Sequence, residues 1–137
     1  FEPTIVAFLC NWCTYTAADL AGTSRLSYPP NIKIIRVMCT GMVDPQYVIK
    51  AFLEGADGVL ISGCHPGDCH YINGNYKARR RIKLLKEILP QFGFDQQRLR
   101  LTWIGASDGI QLAEVMRDLV AQIKALGPSQ ARLKMVI

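Results

Sequence analysis

The sequence predicts an α/β protein, a four-stranded parallel sheet with helices on both faces. Two observations carry this. Four short apolar runs, most of them holding β-branched residues, begin near Thr4, Ile32, Asp57 and Leu99, and each is followed by a segment of helical character. The runs are also nearly continuous in apolar residues rather than alternating, as strands are when helices cover both faces. At 137 residues the chain suggests one domain, residues 1–137, able to bury a core without disulfide staples.

The elements follow in order. The run Thr4 to Leu9 is the first strand and leads into Cys10 and Cys13. A short, weakly patterned helix is expected near Tyr15 to Leu20, and Pro29-Pro30 closes the connection to the second strand, Ile32 to Met38, which ends at Cys39. Asp44-Pro45 is a helix start, Asp as N-cap and Pro in the first turn. That helix carries Val48, Ile49, Phe52 and Leu53 and stops at Gly55. The third strand, Gly58 to Ser62, leads to Cys64 and Cys69. A helix from about Tyr76 to Leu89 buries Ile82, Leu85 and Leu89 and is stopped by Pro90. The last strand begins near Leu99. The last helix, Asp108 to Leu126, has the strongest periodicity (Ile110, Leu112, Val115, Met116, Leu119, Val120, Ile123 and Leu126) and ends at Gly127-Pro128. The apolar tail with Leu133, Met135, Val136 and Ile137 adds an edge strand or lies on a partner.

Right-handed crossovers then favour a flavodoxin-like or Rossmann-like arrangement with strand order 2-1-3-4. In open sheets of this kind, sites form beyond the carboxyl ends of the strands, where strand order reverses. Here that is between the first and third strands.

All five cysteines fall at that edge, as Cys10-x2-Cys13, Cys39 and Cys64-x4-Cys69. A single cysteine is most simply a small buried hydrophobe; five at one sheet edge point to a thiolate site for a soft metal, an iron–sulfur cluster or zinc. The odd count in a few loops argues against a secreted disulfide framework and for a reducing, cytoplasmic setting. Five is one more than a four-ligand site needs. Cys10, closest to its strand, is expected to be the spare, which leaves Cys13, Cys39, Cys64 and Cys69 as metal ligands. Gly63, Pro66 and Gly67 let the Cys64–Cys69 loop bend, and they and Gly41 let backbone N–H groups approach sulfur. Trp12 either shields the site from water or is an ordinary core or interface aromatic.

Two other chemistries fit the same sulfurs. Cys10-Asn-Trp-Cys13 has the spacing of a thiol–disulfide oxidoreductase, although Thr14-Tyr15-Thr16 are poor residues for the helix such a motif opens. A structural zinc-binding interaction module explains four thiolates without redox work.

His65 and His70 either replace a thiolate or, more simply, hydrogen-bond loop backbone or a sulfur. Asp68 and Asn73-Gly74-Asn75 read as turn chemistry. Gly105 to Gly109 resembles a phosphate loop but lacks the glycine pattern and lysine of one, and Asp108 is most simply an N-cap. No Ser–His–Asp set or carboxylate pair suggests a catalytic residue. The net charge is +5, and Lys77, Arg79, Arg80, Arg81, Lys83 and Lys86 crowd one helix. That run is a solvated face or a dock for an acidic protein; without an aromatic stacking motif it does not suggest nucleic acid. No apolar stretch is long enough to span a membrane, and Phe1-Glu2-Pro3 supplies no basic start to a signal peptide.

Three blocks carry a family resemblance: Phe8-Leu-Cys10-Asn-Trp-Cys13-Thr-Tyr15; Arg36-Val-Met-Cys39-Thr-Gly41 with Val43-Asp44-Pro45; and Gly55-Ala-Asp-Gly58 continuing through Gly63-Cys-His-Pro-Gly-Asp-Cys-His-Tyr71 to Asn73-Gly-Asn75. Together they closely resemble the delta, iron–sulfur subunit of methyl-viologen-reducing hydrogenase. The resemblance implies a [2Fe–2S] cluster with Cys10, Cys13, Cys39, Cys64 and Cys69 as candidate ligands. It implies electron relay from a hydrogenase or a formate dehydrogenase to the flavin-containing subunit of heterodisulfide reductase, in methanogen-type metabolism. That flavin bifurcates electrons between the heterodisulfide and ferredoxin. In some members the domain is fused to a larger subunit.

Overall fold

The computed structural model describes residues 1–23, 29–69 and 71–129. Its elements are β1 (Ile5–Cys10), α1 (Thr14–Thr23), β2 (Ile32–Val37), α2 (Pro45–Leu53), β3 (Gly58–Gly63), α3 (Gly74–Ile88), β4 (Leu99–Trp103) and α4 (Gly109–Leu126), with a 3-10 turn at Thr40–Met42. The four strands form one sheet in the order β2-β1-β3-β4. All three pairings are parallel, with Ile5 beside Ile32 and Gly58, and Val59 beside Leu99. The expected fold class and strand order are those observed.

Alternation along the strands builds two cores. Ile5, Ala7 and Leu9 of β1, with Leu60 of β3, point to one face and meet Ala17 and Ala18 of α1 and Leu112, Met116, Leu119 and Ile123 of α4. Phe8, Val59, Ile61 and Leu99 point to the other and meet Val48 and Phe52 of α2 and Ile82 and Leu85 of α3. β3 is buried along its whole length, whereas the edge strand β2 is half exposed, as its Lys33 and Arg36 require.

Local chemistry sets most helix ends. Asp44 caps α2 by accepting from the Gln46 N–H at 2.8 Å, with Pro45 behind it. Gly127 ends α4 at φ +83, a conformation that suits glycine. Two helices depart from expectation. α1 starts at Thr14, directly after Cys13, and reaches Thr23. α3 starts at Gly74, so Asn73-Gly74-Asn75 is a helix start rather than only a turn. The apolar tail beyond residue 129, and His70, lie outside the described residues. Among the described residues no helix is long and apolar enough to cross a membrane.

Candidate metal centre

Parallel strands deliver their carboxyl ends to one edge, and the loops leaving β1, β2 and β3 bring all five sulfurs to it. They form two groups. Cys10, Cys13 and Cys64 have their sulfur atoms within 4.8 Å of one another, with Cys10 Sγ 3.9 Å from Cys64 Sγ. Cys39 and Cys69 form a second pair, 3.8 Å apart. The groups adjoin where Cys10 Sγ meets the Met38 carbonyl at 3.7 Å, one residue before Cys39. Cys69 is partly exposed and the other four are buried.

The sulfurs sit where backbone N–H groups are in surplus. Cys13 immediately precedes α1 and its carbonyl accepts the Ala17 N–H at 2.9 Å. Cys39 caps the 3-10 turn and its sulfur accepts from the Gly41 N–H at 3.4 Å, the approach expected of Gly41. Cys69 faces the start of α3. Helix starts stabilise thiolate over thiol. Burial opposes this at Cys69, but the N–H groups of Asn75 and Tyr71, then the Cys39 thiol and the Gly74 N–H, outweigh it and lower its pKa. Burial wins at Cys39, pushing it up to about 11 against the Gly41 hydrogen bond. At Cys10 the neighbouring Cys13 thiol outweighs burial and brings the pKa down to about 6, whereas Cys13 is raised by Cys10 and by burial.

Close packing makes room for the sulfurs. A Cβ added at Gly74 would lie 2.1 Å from Cys39 Sγ and 3.3 Å from Cys69 Sγ. Only glycine lets the first turn of α3 come this close to the pair. Gly41 packs on Gly74 in turn, where a Cβ would meet its backbone at 2.9 Å. Arg81 of α3 ties the arrangement by donating to the Gly41 carbonyl.

The sequence around Asn75 reads as a turn, yet Asn75 is buried and organises the edge. Its amide Nδ2 donates to the carbonyls of Cys64 and His65 at 3.1 and 3.0 Å, holding the loop after β3 against α3. Its Oδ1 is buried with no partner among the described residues. Thr14, also buried, links α1 to the sheet through Ser62 Oγ at 3.2 Å and the Ile104 carbonyl at 3.0 Å.

The remaining candidates take other roles. Among the described residues the His65 ring meets Asp108 rather than a sulfur or loop backbone: its Nε2 lies 3.0 Å from Asp108 Oδ2. Asp108 occupies the N-cap position of α4 but makes no side-chain cap there. Its carboxylate instead accepts from the Gly105 N–H at 2.9 Å, and the His65 contact, then Gly105, lower its pKa. Trp12 is not a core residue. It is 45 % exposed and donates from Nε1 to the Tyr71 hydroxyl at 3.2 Å.

The donor set fits a metal–thiolate centre. Two sulfurs on one tetrahedral metal, at a metal–sulfur distance of roughly 2.3 Å, stand about 3.8 Å apart. The Cys39–Cys69 separation, 3.8 Å, matches that edge, and Cys13 and Cys64 lie within 4.8 Å of each other.

Fold and site together define an α/β protein with a buried thiol cluster at the switch point of its sheet, suited to a soft metal. The profile of the family described as methyl-viologen-reducing hydrogenase, delta subunit, matches residues 5–127, and the chain belongs to that family. The chain is 54% identical over 128 residues to an F420-non-reducing hydrogenase iron–sulfur subunit of Archaeoglobus profundus, covering 93% of each chain. A second relative, an F420-non-reducing hydrogenase vhc iron–sulfur subunit of Methanococcus voltae, is 54% identical over 128 residues, 93% of this chain and 89% of that one. A subunit of the ferredoxin:CoB-CoM heterodisulfide reductase of Methanosarcina mazei is 46% identical over 132 residues, 96% of this chain but 17% of the larger protein.

Proposed function

We propose that this chain is a cytoplasmic electron-transfer subunit that holds one [2Fe–2S] cluster. It relays electrons from a hydrogenase or a formate dehydrogenase to the flavin-containing subunit of heterodisulfide reductase, whose flavin bifurcates them in methanogenesis. The observation that carries the reading is the meeting of five sulfurs at one edge, a pair 3.8 Å apart beside a triad within 4.8 Å. The relatives support the partners: one set is named as hydrogenase iron–sulfur subunits, and another carries this domain within a subunit of heterodisulfide reductase.

Cys39 and Cys69 would hold one iron and Cys13 and Cys64 the other, with Cys10 as the spare thiol. Cys10 ends β1, and its contact with the Met38 carbonyl suits an S–H donor. Cys13 bound as a thiolate would no longer donate to Cys10, which removes the contact that lowers the Cys10 pKa and favours its thiol form. The cluster supplies one-electron chemistry when bound. The chain supplies burial and hydrogen bonds: the Gly41 N–H to Cys39 and the α3 N–H groups to Cys69 stabilise thiolate charge and help set the potential. Burial of Cys10 and Cys13, 2 % and 5 % exposed, disfavours thiol–disulfide exchange, because a disulfide substrate needs an open thiolate. A helix does follow Cys13, so access rather than secondary structure weighs against that chemistry.

Reconstitution tests the relay. Dihydrogen-driven reduction of the heterodisulfide by the hydrogenase and heterodisulfide reductase should require the iron-loaded chain and fall at least tenfold with Cys39→Ala. Cys10→Ala should leave both iron content and relay within about twofold of wild type. Full activity of Cys39→Ala, or of a zinc-loaded colourless chain, would sink the proposal.

A further inference from the structure

The rim of the thiol edge carries side chains that an isolated protein gains nothing by exposing. Trp12, Met38, Met42, Tyr71 and Ile72 are 43 % to 82 % exposed, Ile72 the most. Met38, Met42 and Tyr71, with Lys77 and two residues of the thiol site, Cys39 and Gly74, line a cavity of about 390 Å³.

Ile72 adds backbone strain to exposure. Its φ is +71, a region that disfavours β-branched residues. The Asn73 N–H donates to the Tyr71 carbonyl at 2.8 Å, closing a three-residue turn around it. Hydrogen bonding across two residues with positive φ at the centre marks the rare, strained γ-turn. Glycine would fit that turn without strain, and the chain's own core would lose no packing. What the isoleucine does is hold an apolar tip beside the sulfurs: its own N–H donates to the Cys69 carbonyl at 3.0 Å. Strain of this kind points towards function.

The charge beside the patch gives the character of what covers it. Lys77 lines the cavity, and Arg79, Arg80 and Lys83 continue exposed along α3. No carboxylate among the described residues forms an ion pair with these four.

We propose that the Ile72 turn is the centre of a docking surface for the protein that exchanges electrons with the thiol edge. The occupant is a folded protein surface with an apolar hollow for Ile72 and Met42, rimmed by carboxylates that face Lys77 and Arg80. This rests on the electron-transfer reading above and adds where, and through which chemistry, the partner sits. Aromatic and Met side chains at the centre with cations beside them are the make-up of a protein interface.

The test uses the iron-loaded full chain and the purified flavin-containing subunit of heterodisulfide reductase in a binding titration. Ile72→Gly is the sharpest variant, because it removes the side chain and relieves the turn. It should melt no lower than wild type, keep its iron content, and bind at least tenfold more weakly. Lys77→Glu with Arg80→Glu should also lose at least tenfold at low salt, a loss that shrinks as salt screens the charges. Leu84→Ser, at another exposed apolar site about 15 Å along α3 from its start, should bind as wild type does. Wild-type affinity in iron-loaded Ile72→Gly overturns this inference and leaves the cluster reading standing. A wild-type chain that holds no iron overturns both. Self-association of the chain that Ile72→Gly abolishes, without binding of the reductase, overturns the choice of occupant.

Discussion

At the amino edge of the sheet the polar groups close on one another; at the carboxyl edge they are gathered and left open. Asp57, fully buried before β3, accepts the N–H groups of Thr4 and Ser129, each at 2.9 Å. Arg98, 6 % exposed, donates to the carbonyls of Asp57 and Pro128 at 3.0 and 3.3 Å. This edge thereby fastens the start of β1, the approach to β3 and the end of α4 with the chain's own donors and acceptors. At the opposite edge the sulfurs make contacts of 3.4 to 3.9 Å, soft and long. A glycine is required under them, an amide oxygen of Asn75 is unmatched among the described residues, and Ile72 is strained at the rim. One edge stabilises the fold with the chain's own groups; the other gathers thiols that could hold a metal.

Substitutions at the two edges should therefore separate stability from metal binding. The largest effect is expected from Gly74→Ala, whose Cβ would overlap Cys39 Sγ. Metal per chain should fall below about a tenth of wild type while the circular dichroism of the sheet and helices persists; normal metal content would break the comparison at its carboxyl edge. Asp57→Ala should do the reverse. It strands two backbone donors at about 1–3 kcal/mol each, so roughly 3 kcal/mol of stability should be lost and the melting temperature should drop by roughly 10 °C. Metal per folded chain should be unchanged, and an unmoved melting curve would break the comparison at its amino edge.

Asn75→Ala sharpens the boundary between the two effects. Losing the bonds to the Cys64 and His65 carbonyls should cost about 2 kcal/mol, and because those bonds position a sulfur, metal affinity should fall as well. A pure stability loss would place Asn75 with the scaffold. The smallest effect concerns Asp108. Its folded pKa is held below the ordinary carboxylate value by His65 and then the Gly105 N–H. Such a group contributes stability that is present above its unfolded pKa and lost as pH falls through the folded value. The stability deficit of Asp108→Asn should thus be present at pH 7 and shrink below about pH 4; a deficit independent of pH would mean the carboxylate charge is not what holds the loop.

What is legible in the sequence follows the range of the signal. Strand order comes through because the apolar runs and the handedness of crossovers constrain it without side-chain detail, and the cysteines converge because each lies at or beyond the carboxyl end of a strand of the same sheet. Residues whose partners are distant are misjudged by local preference. Thr14-Tyr15-Thr16 are weak helix formers, yet Thr14 is held by Ser62 and by Ile104, 90 residues away. Asn75 follows Asn-Gly and reads as a turn, but its amide bonds lie 10 and 11 residues back in the loop after β3. Asp108 sits where a cap belongs, and the contact that diverts it is to His65, 43 residues earlier. Ile72 carries no pattern at all in sequence, since positive φ at an isoleucine is imposed by the turn that surrounds it.

What the carboxyl edge holds decides whether this chain relays electrons. Anaerobic purification followed by iron and acid-labile sulfide assays, with a visible spectrum and electron paramagnetic resonance on reduction, tests it most directly. Two iron and two sulfide per chain, with charge-transfer absorption and a signal that appears on reduction, is the expected result. A colourless chain with one zinc and no sulfide would contradict it.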